Sequence, residues 1–200
     1  QMTILCAGIN HRDAAIDIRE KFAIGNNDLA ETLTQLREIN GVSGAVVLST
    51  CNRVEFYAAS ADPDSTLGGI REFINNRAGG ISAPFHSMDT TPCVRHLFRV
   101  ASGLDSMVVG ETEILGQLKQ AYSAAAGLGA TNTHLNKLFQ QAFHVAKEVR
   151  TQTQITRGST SVGAVAVELA GKIFGDLHGR KIMVLGAGDT SERVARSLVS

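Results

Sequence analysis

The chain has 200 residues, 44% hydrophobic and 19% charged, which is enough to bury a core and too apolar for a disordered segment. Its 19 basic and 19 acidic residues cancel, and with no Trp and 5% aromatics the composition argues against a uniformly basic, base-stacking nucleic-acid surface. No apolar run reaches the roughly 18 residues of a membrane span, and the three cysteines lack CxxC spacing, which fits free thiols better than disulfides or a zinc knuckle. With no basic-then-apolar leader at the start, the expected location is cytoplasmic and reducing.

Residues 3–9 read as a strand, and 28–39 as a helix with Leu29, Leu33 and Leu36 on one stripe and Asn27 as N-cap. Strands follow at about 44–50 and 53–59, then a helix at about 65–77 carrying Leu67, Ile70, Phe73 and Ile74. A short extended piece is expected near 82–88. The order β-α-β-β-α-β is that of a ferredoxin-like split βαβ unit. Helices then dominate. Thr91-Pro92 suits a helix start, and that helix should end near Gly103. Further helices are expected at 111–127 and 132–151. In the second, Leu135, Leu138, Ala142, Val145 and Val149 form a long seam for a partner helix. Arg157-Gly158-Ser159-Thr160-Ser161 reads as the domain boundary, which divides the chain into 1–156 and 157–200. A connecting helix at 162–174 comes next. The run 180–185 then reads as a buried parallel strand entering Gly186-Ala187-Gly188, the first strand of a truncated Rossmann-type domain. The expected fold class is therefore α+β: a ferredoxin-like sheet unit, helices, a long connecting helix and the start of a second domain.

The most informative stretch is Ser49-Thr50-Cys51-Asn52-Arg53-Val54-Glu55, a thiol in a tight turn between two strands. A lone free cysteine is usually a small buried hydrophobe, and Cys6 and Cys93 suit that reading. Cys51 differs because it lies among Thr50, Asn52 and Arg53. A nearby cation would favour its thiolate, and a guanidinium can grip a carboxylate. His96 reads either as a structural histidine on a half-apolar helix or as a general acid/base toward the thiol or a departing oxygen. His11, His86, His134 and His144 show no spacing that argues for a metal site. Glu113 and Gln117 lie one turn apart on a helix start. They read as a solvated face or as the wall of a pocket for an ammonium group, and both readings stay open. Gly186 to Ser191 has the context of a dinucleotide turn, but its sixth position is Ser191 where the fingerprint has Gly.

Four blocks together resemble the glutamyl-tRNA reductase family. They are Gly8-Ile9-Asn10-His11-Arg12, Ser49 to Glu55, Arg95 to Glu111, and Ile114-Leu115-Gly116-Gln117. The resemblance implies NADPH-dependent reduction of glutamyl-tRNA(Glu) to glutamate-1-semialdehyde, the first step of tetrapyrrole synthesis, through a thioester. It implies that Cys51 is the nucleophile and that His96 is needed for activity. Thr50, Asn52, Arg53, Ser106, Glu111, Thr112, Glu113 and Gln117 would hold the glutamyl group. Gly186, Ala187, Gly188, Asp189, Thr190 and Ser191 would hold the NADPH phosphates. Family members often read Gly-Glu-Pro-Gln where this chain has Gly110-Glu111-Thr112-Glu113. The resemblance further implies charged tRNA(Glu) and a glutamate-1-semialdehyde aminomutase as partners. It also implies a homodimer built through a C-terminal helical domain that this sequence does not contain, and an NADPH domain cut short after its first strand, so that the chain would lack the reductase step. A thiol-dependent hydrolase and a non-catalytic tRNA-binding module are the alternatives.

Overall fold

A computed structural model describes residues 2–81, 84–157, 161–186 and 189–199. Four strands form one sheet: β1 (Thr3–Asn10), β2 (Val42–Ser49), β3 (Arg53–Ser60) and β4 (His86–Asp89). Their order is β2-β3-β1-β4 and every neighbouring pair is antiparallel. β3 therefore lies between β1 and β2, which run the same way and are joined by a crossover. That crossover holds α1 (Ile16–Arg19), a 3-10 turn (Glu20–Phe22) and α2 (Leu29–Glu38). The sequence reading missed α1 and the turn, which are too short to show a hydrophobic period. α2 arises where it was expected, but Asp28 rather than Asn27 takes the N-cap position, without a side-chain cap bond.

α3 (Pro63–Arg77) returns the chain from β3 to β4. Its start is set by Pro63 in the first turn and by the Asp62 carboxylate, which accepts from the Ser65 N–H. The expected extended piece forms as β4 over its second half, and residues 82–83 lie outside the described residues. Thr90, at φ 45°, turns β4 straight into α4 (Thr90–Ala101). This abrupt junction brings the start of the helix back over the sheet edge. α5 (Glu113–Gly127) and α6 (Thr133–Gln152) follow. In α6 the Asn132 side chain accepts from the Leu135 N–H.

Every residue of β3 is buried, so both faces of the sheet centre are covered. Val54, Phe56 and Ala58 point one way, Arg53, Glu55 and Tyr57 the other. The latter face lies under α4 and α6. Tyr57 meets the Phe139 ring edge to face at 5.6 Å, and His96 of α4 reaches Glu55. Residues directly opposite across antiparallel strands share a face, so Glu55, Gly8 and His86 form one row, and Tyr57, Cys6 and Met88 the next. Gly8 is fixed by this packing. A Cβ there would lie 2.5 Å from the Val54 carbonyl oxygen and 2.9 Å from Glu55 Cγ.

Beyond α6 come α7 (Val162–Phe174), started by the Ser161 hydroxyl accepting from the Ala164 N–H, and α8 (Asp189–Val199). Residues 158–160, most of the expected boundary, lie outside the described residues, as do Ala187 and Gly188. The strand expected over 180–185 is not formed. Residues 181–186 carry no ladder pairing, and Ile182, Met183 and Leu185 are exposed. A parallel strand needs neighbours on its edges, and no described strand adjoins this one.

Candidate functional site

The turn Thr50–Arg53 is built by its own first residue. The Thr50 N–H donates to the Arg53 carbonyl at 2.8 Å, and the Thr50 hydroxyl oxygen accepts from the N–H groups of Asn52 and Arg53, both at 3.2 Å. Outside the turn, the His11 N–H donates to the Asn52 carbonyl and Arg19 Nε to the Cys51 carbonyl. Every main-chain carbonyl from Cys51 to Arg53 is thus engaged. The tip is fixed while the thiol itself stays exposed, in contrast to Cys6 and Cys93, which are buried.

Cys51 opens into a cavity of about 190 Å³. Thr50, Asn52, Arg53, Ser106, Glu111, Glu113 and Gln117 line it together with Cys51. Residues about 60 positions apart in sequence are therefore gathered at one place. Ile16, Met107, Ser161 and Gly163 complete the wall, and none of these four was singled out from sequence. Thr112 does not line the cavity. It takes the N-cap position of α5 with no side-chain cap bond. A larger cavity, about 660 Å³, lies among α7, α8 and residues 177–183, but among the described residues its lining holds no cysteine, histidine or carboxylate.

The electrostatics of the cavity differ from expectation. Partial burial pushes the Cys51 thiol above its usual range, and Glu111 and Glu113 add to this, with Arg19 opposing them. Burial likewise raises the Glu111 carboxyl, and Glu113 adds to it against the nearby Ser106 hydroxyl. The expected cation does not govern the thiol because Arg53 is spent elsewhere. The Arg53 side chain is 1% exposed. Its Nη1 donates to Glu55 Oε1 at 2.9 Å, and its Nη2 donates to the Asp105 carbonyl and carboxylate. Its fork is thus closed on protein acceptors instead of standing open for a substrate carboxylate.

Arg53 belongs to a buried polar network that sequence reasoning did not assemble. Glu55 accepts from Arg53, from the Tyr57 hydroxyl at 2.6 Å, and bonds His96 Nε2 at 2.9 Å. Asp105 also accepts from Arg12 at 2.8 Å. Burial alone would raise Glu55, but the His96 hydrogen bond, the Arg53 charge and the Tyr57 hydroxyl bring its carboxyl down to about 2. His96 therefore sits on Glu55 and is not among the cavity-lining residues, so the structure does not bring it to the thiol directly. The signal for this network was available in the spacing. Arg53, Glu55 and Tyr57 alternate along one strand and must share a face. Asp105 gave no such signal, because it arrives from a loop.

Of the expected dinucleotide turn, Gly186 has φ 127°, and a Cβ there would lie 2.7 Å from the Ser191 hydroxyl. Asp189 and Thr190 open α8. Without a strand over 181–186, these residues do not stand at a sheet end.

The fold and the site define an α+β domain that presents an exposed cysteine, on a rigid hairpin tip, to a carboxylate-lined cavity. A family model described as "Glutamyl-tRNAGlu reductase, N-terminal domain" matches residues 7–153. The chain belongs to this glutamyl-tRNA reductase family. The glutamyl-tRNA reductase of Akkermansia muciniphila is 47% identical over 200 residues, covering 98% of this chain and 59% of that protein. That of Pelotomaculum thermopropionicum is 46% identical, covering 100% of this chain and 46% of that protein. Among solved structures, the glutamyl-tRNA reductase from Methanopyrus kandleri superposes with a TM-score of 0.70 at 39% identity, covering 98% of this chain and 46% of that chain. The chain thus spans roughly half the length of the relatives it matches.

Proposed function

We propose that this chain is the catalytic part of a glutamyl-tRNA reductase and that Cys51 takes the glutamyl group from tRNA(Glu) as a thioester. The observation that carries this is the convergence of Cys51 with Glu111, Glu113, Ser106 and Gln117 in one cavity. In the step proposed, Cys51 Sγ loses its proton and attacks the ester carbonyl carbon. The carbon–oxygen bond to the terminal ribose breaks, and the ribose oxygen leaves as a hydroxyl after taking a proton. A thioester carbonyl stays more electrophilic than an ester, which is the use of covalent catalysis here.

The cavity charges suggest how the thiol is activated. Partial burial, with Glu111 and Glu113 adding to it, favours the protonated thiol while the site is free. The α-ammonium of a glutamyl group offsets those carboxylates, removes the opposition to a thiolate and draws the carbonyl to the sulfur. Arg53 and His96 then act as positioning residues. Arg53 ties the turn to Asp105, and His96 anchors Glu55. NADPH remains an implication of the family resemblance. Residues 181–186 do not form the strand that a dinucleotide turn requires, so no step here runs through the cofactor.

The strand order β2-β3-β1-β4 supports reading the sheet layer as a ferredoxin-like unit. The family match ending at 153 supports a catalytic unit over 1–156. No described helix is long and apolar enough to cross a membrane.

The test is mass spectrometry of the chain after mixing with glutamyl-tRNA. A glutamyl adduct is expected on the peptide containing Cys51, retained in Cys93→Ser and lost in Cys51→Ser. An adduct that forms equally in Cys51→Ser overturns the assignment.

A further inference from the structure

Behind the hairpin, on the face of the sheet under α4, three soft or borderline donors meet. The Cys6 thiol, one ring nitrogen of His86 and one of His96 lie within 4.8 Å of one another. They come from β1, β4 and α4, so no sequence spacing could announce them. Glu55 joins them, its Oε1 2.9 Å from His96 Nε2 and 3.7 Å from His86 Nε2.

Two features make this more than a chance meeting of polar groups. His86 Nδ1 is bonded to the Asp13 carboxylate at 2.8 Å, which fixes the proton on Nδ1 and turns the Nε2 lone pair inward. Inside, His86 Nε2 is buried and has no hydrogen-bond partner. Leaving such an atom unpaired is costly, and a carboxylate behind the far nitrogen is the arrangement that orients metal-binding histidines. The space itself is made by Gly8, which stands between Glu55 and His86 in their row across the sheet, where a Cβ would press on Glu55 Cγ at 2.9 Å.

We infer that Cys6, His86 and His96, with Glu55 as fourth donor, form a binding site for a single zinc-like divalent transition-metal ion. The donor set, one thiolate, two imidazoles and one carboxylate, suits Zn²⁺ and not Mg²⁺ or Ca²⁺, which take oxygen ligands. A tetrahedron with arms of about 2.0–2.3 Å has edges of roughly 3.3–3.8 Å. The donor atoms of Cys6, His86 and His96, within 4.8 Å of one another, exceed that by about 1 Å, which small χ rotations of Cys6 and His96 can supply, and Glu55 enters from the side of the two histidines. On binding, the Cys6 proton leaves to solvent and the sulfur becomes a thiolate ligand. The proton that His96 Nε2 donates to Glu55 leaves that nitrogen, the ring keeping its proton on Nδ1, and Glu55 Oε1 passes from His96 to the ion. His86 and His96 keep 17% and 12% of their side chains exposed, which leaves an entry path.

Cobalt(II) is the probe, titrated into the 200-residue chain. One equivalent should bind and give a thiolate-to-cobalt charge-transfer band with the ligand-field bands of tetrahedral cobalt. Cys6→Ser should remove the charge-transfer band. Asp13→Asn, which leaves all four donors in place, should weaken binding by about 10–100-fold. This variant keeps the test decisive even where Cys6→Ser fails to fold. Cys51→Ser and Cys93→Ser should leave the spectrum unchanged. A band that survives Cys6→Ser but disappears in Cys51→Ser or Cys93→Ser overturns the site, as does a chain that gives no thiolate band at all. Equal affinity in Asp13→Asn overturns the orienting role of Asp13.

Discussion

At the scale of single residues, Glu55 is the point where stability and site geometry meet. Its carboxylate is fully buried and accepts from Arg53 and Tyr57 while holding His96. The folded carboxyl sits at about 2, below its ordinary range of roughly 4.3–4.5. The folded state therefore binds fewer protons than the unfolded state as the pH drops into that interval. The contribution is complete above about pH 4.5, fades as pH falls, and is gone below about 2. Glu55→Gln should cost about 3–5 kcal/mol at neutral pH, because it leaves the Arg53 charge buried with one acceptor group fewer. Urea unfolding of both proteins from pH 7 down to pH 2 checks this. The gap between them should close on the acid side.

At the scale of elements, the hairpin tip depends on one hydroxyl. Thr50→Val keeps the shape of the side chain but removes the acceptor for the Asn52 and Arg53 N–H groups. The expected loss is about 1–2 kcal/mol in denaturant unfolding. Glutamyl adduct formation on Cys51 should slow by about tenfold, since a loosened turn no longer holds the thiol in line. An unaltered rate would mean that the Arg19 and His11 contacts suffice to hold the tip. The elements themselves were readable. Thr50-Cys51-Asn52 between two β-branched runs announced the hairpin, and Leu135 with Leu138 and Ala142 announced α6. Cys51, Thr50, Asn52, Arg53, Ser106, Glu111, Glu113 and Gln117 were named from the family resemblance, while Ile16, Met107, Ser161 and Gly163 were not. What sequence hid was three-dimensional. Arg53 looked like a free guanidinium because Asp105 comes from a distant loop. His96 read either as a structural histidine or as a partner for the thiol, because its bond to Glu55 crosses from helix to sheet. Residues 180–185 looked like a strand because apolar β-branched runs carry no record of whether a neighbouring strand is present.

At the scale of the whole molecule, apolar surface is distributed unevenly. The sheet and α2 to α6 enclose one continuous core. By contrast Ile173, Phe174, Met183 and Leu185, over α7 and the segment after it, stand 58–82% exposed. Clustered exposure of this kind drives association. Sedimentation velocity should show concentration-dependent self-association of the 200-residue chain. Ile173→Lys combined with Leu185→Lys should shift it toward monomer. A chain that stays monomeric at high concentration would show that these side chains find cover within the molecule.

The negative walls around Cys51 carry a consequence for survival under oxidative stress. Peroxide attacks sulfur in its anionic form, and partial burial, with Glu111 and Glu113 adding to it, shifts the Cys51 thiol toward its neutral form; in the function proposed here a cationic guest reverses that shift. A resting molecule should thus ride out oxidants that would quickly poison an enzyme whose cysteine is permanently ionised, its vulnerability confined to the moments when cargo is aboard.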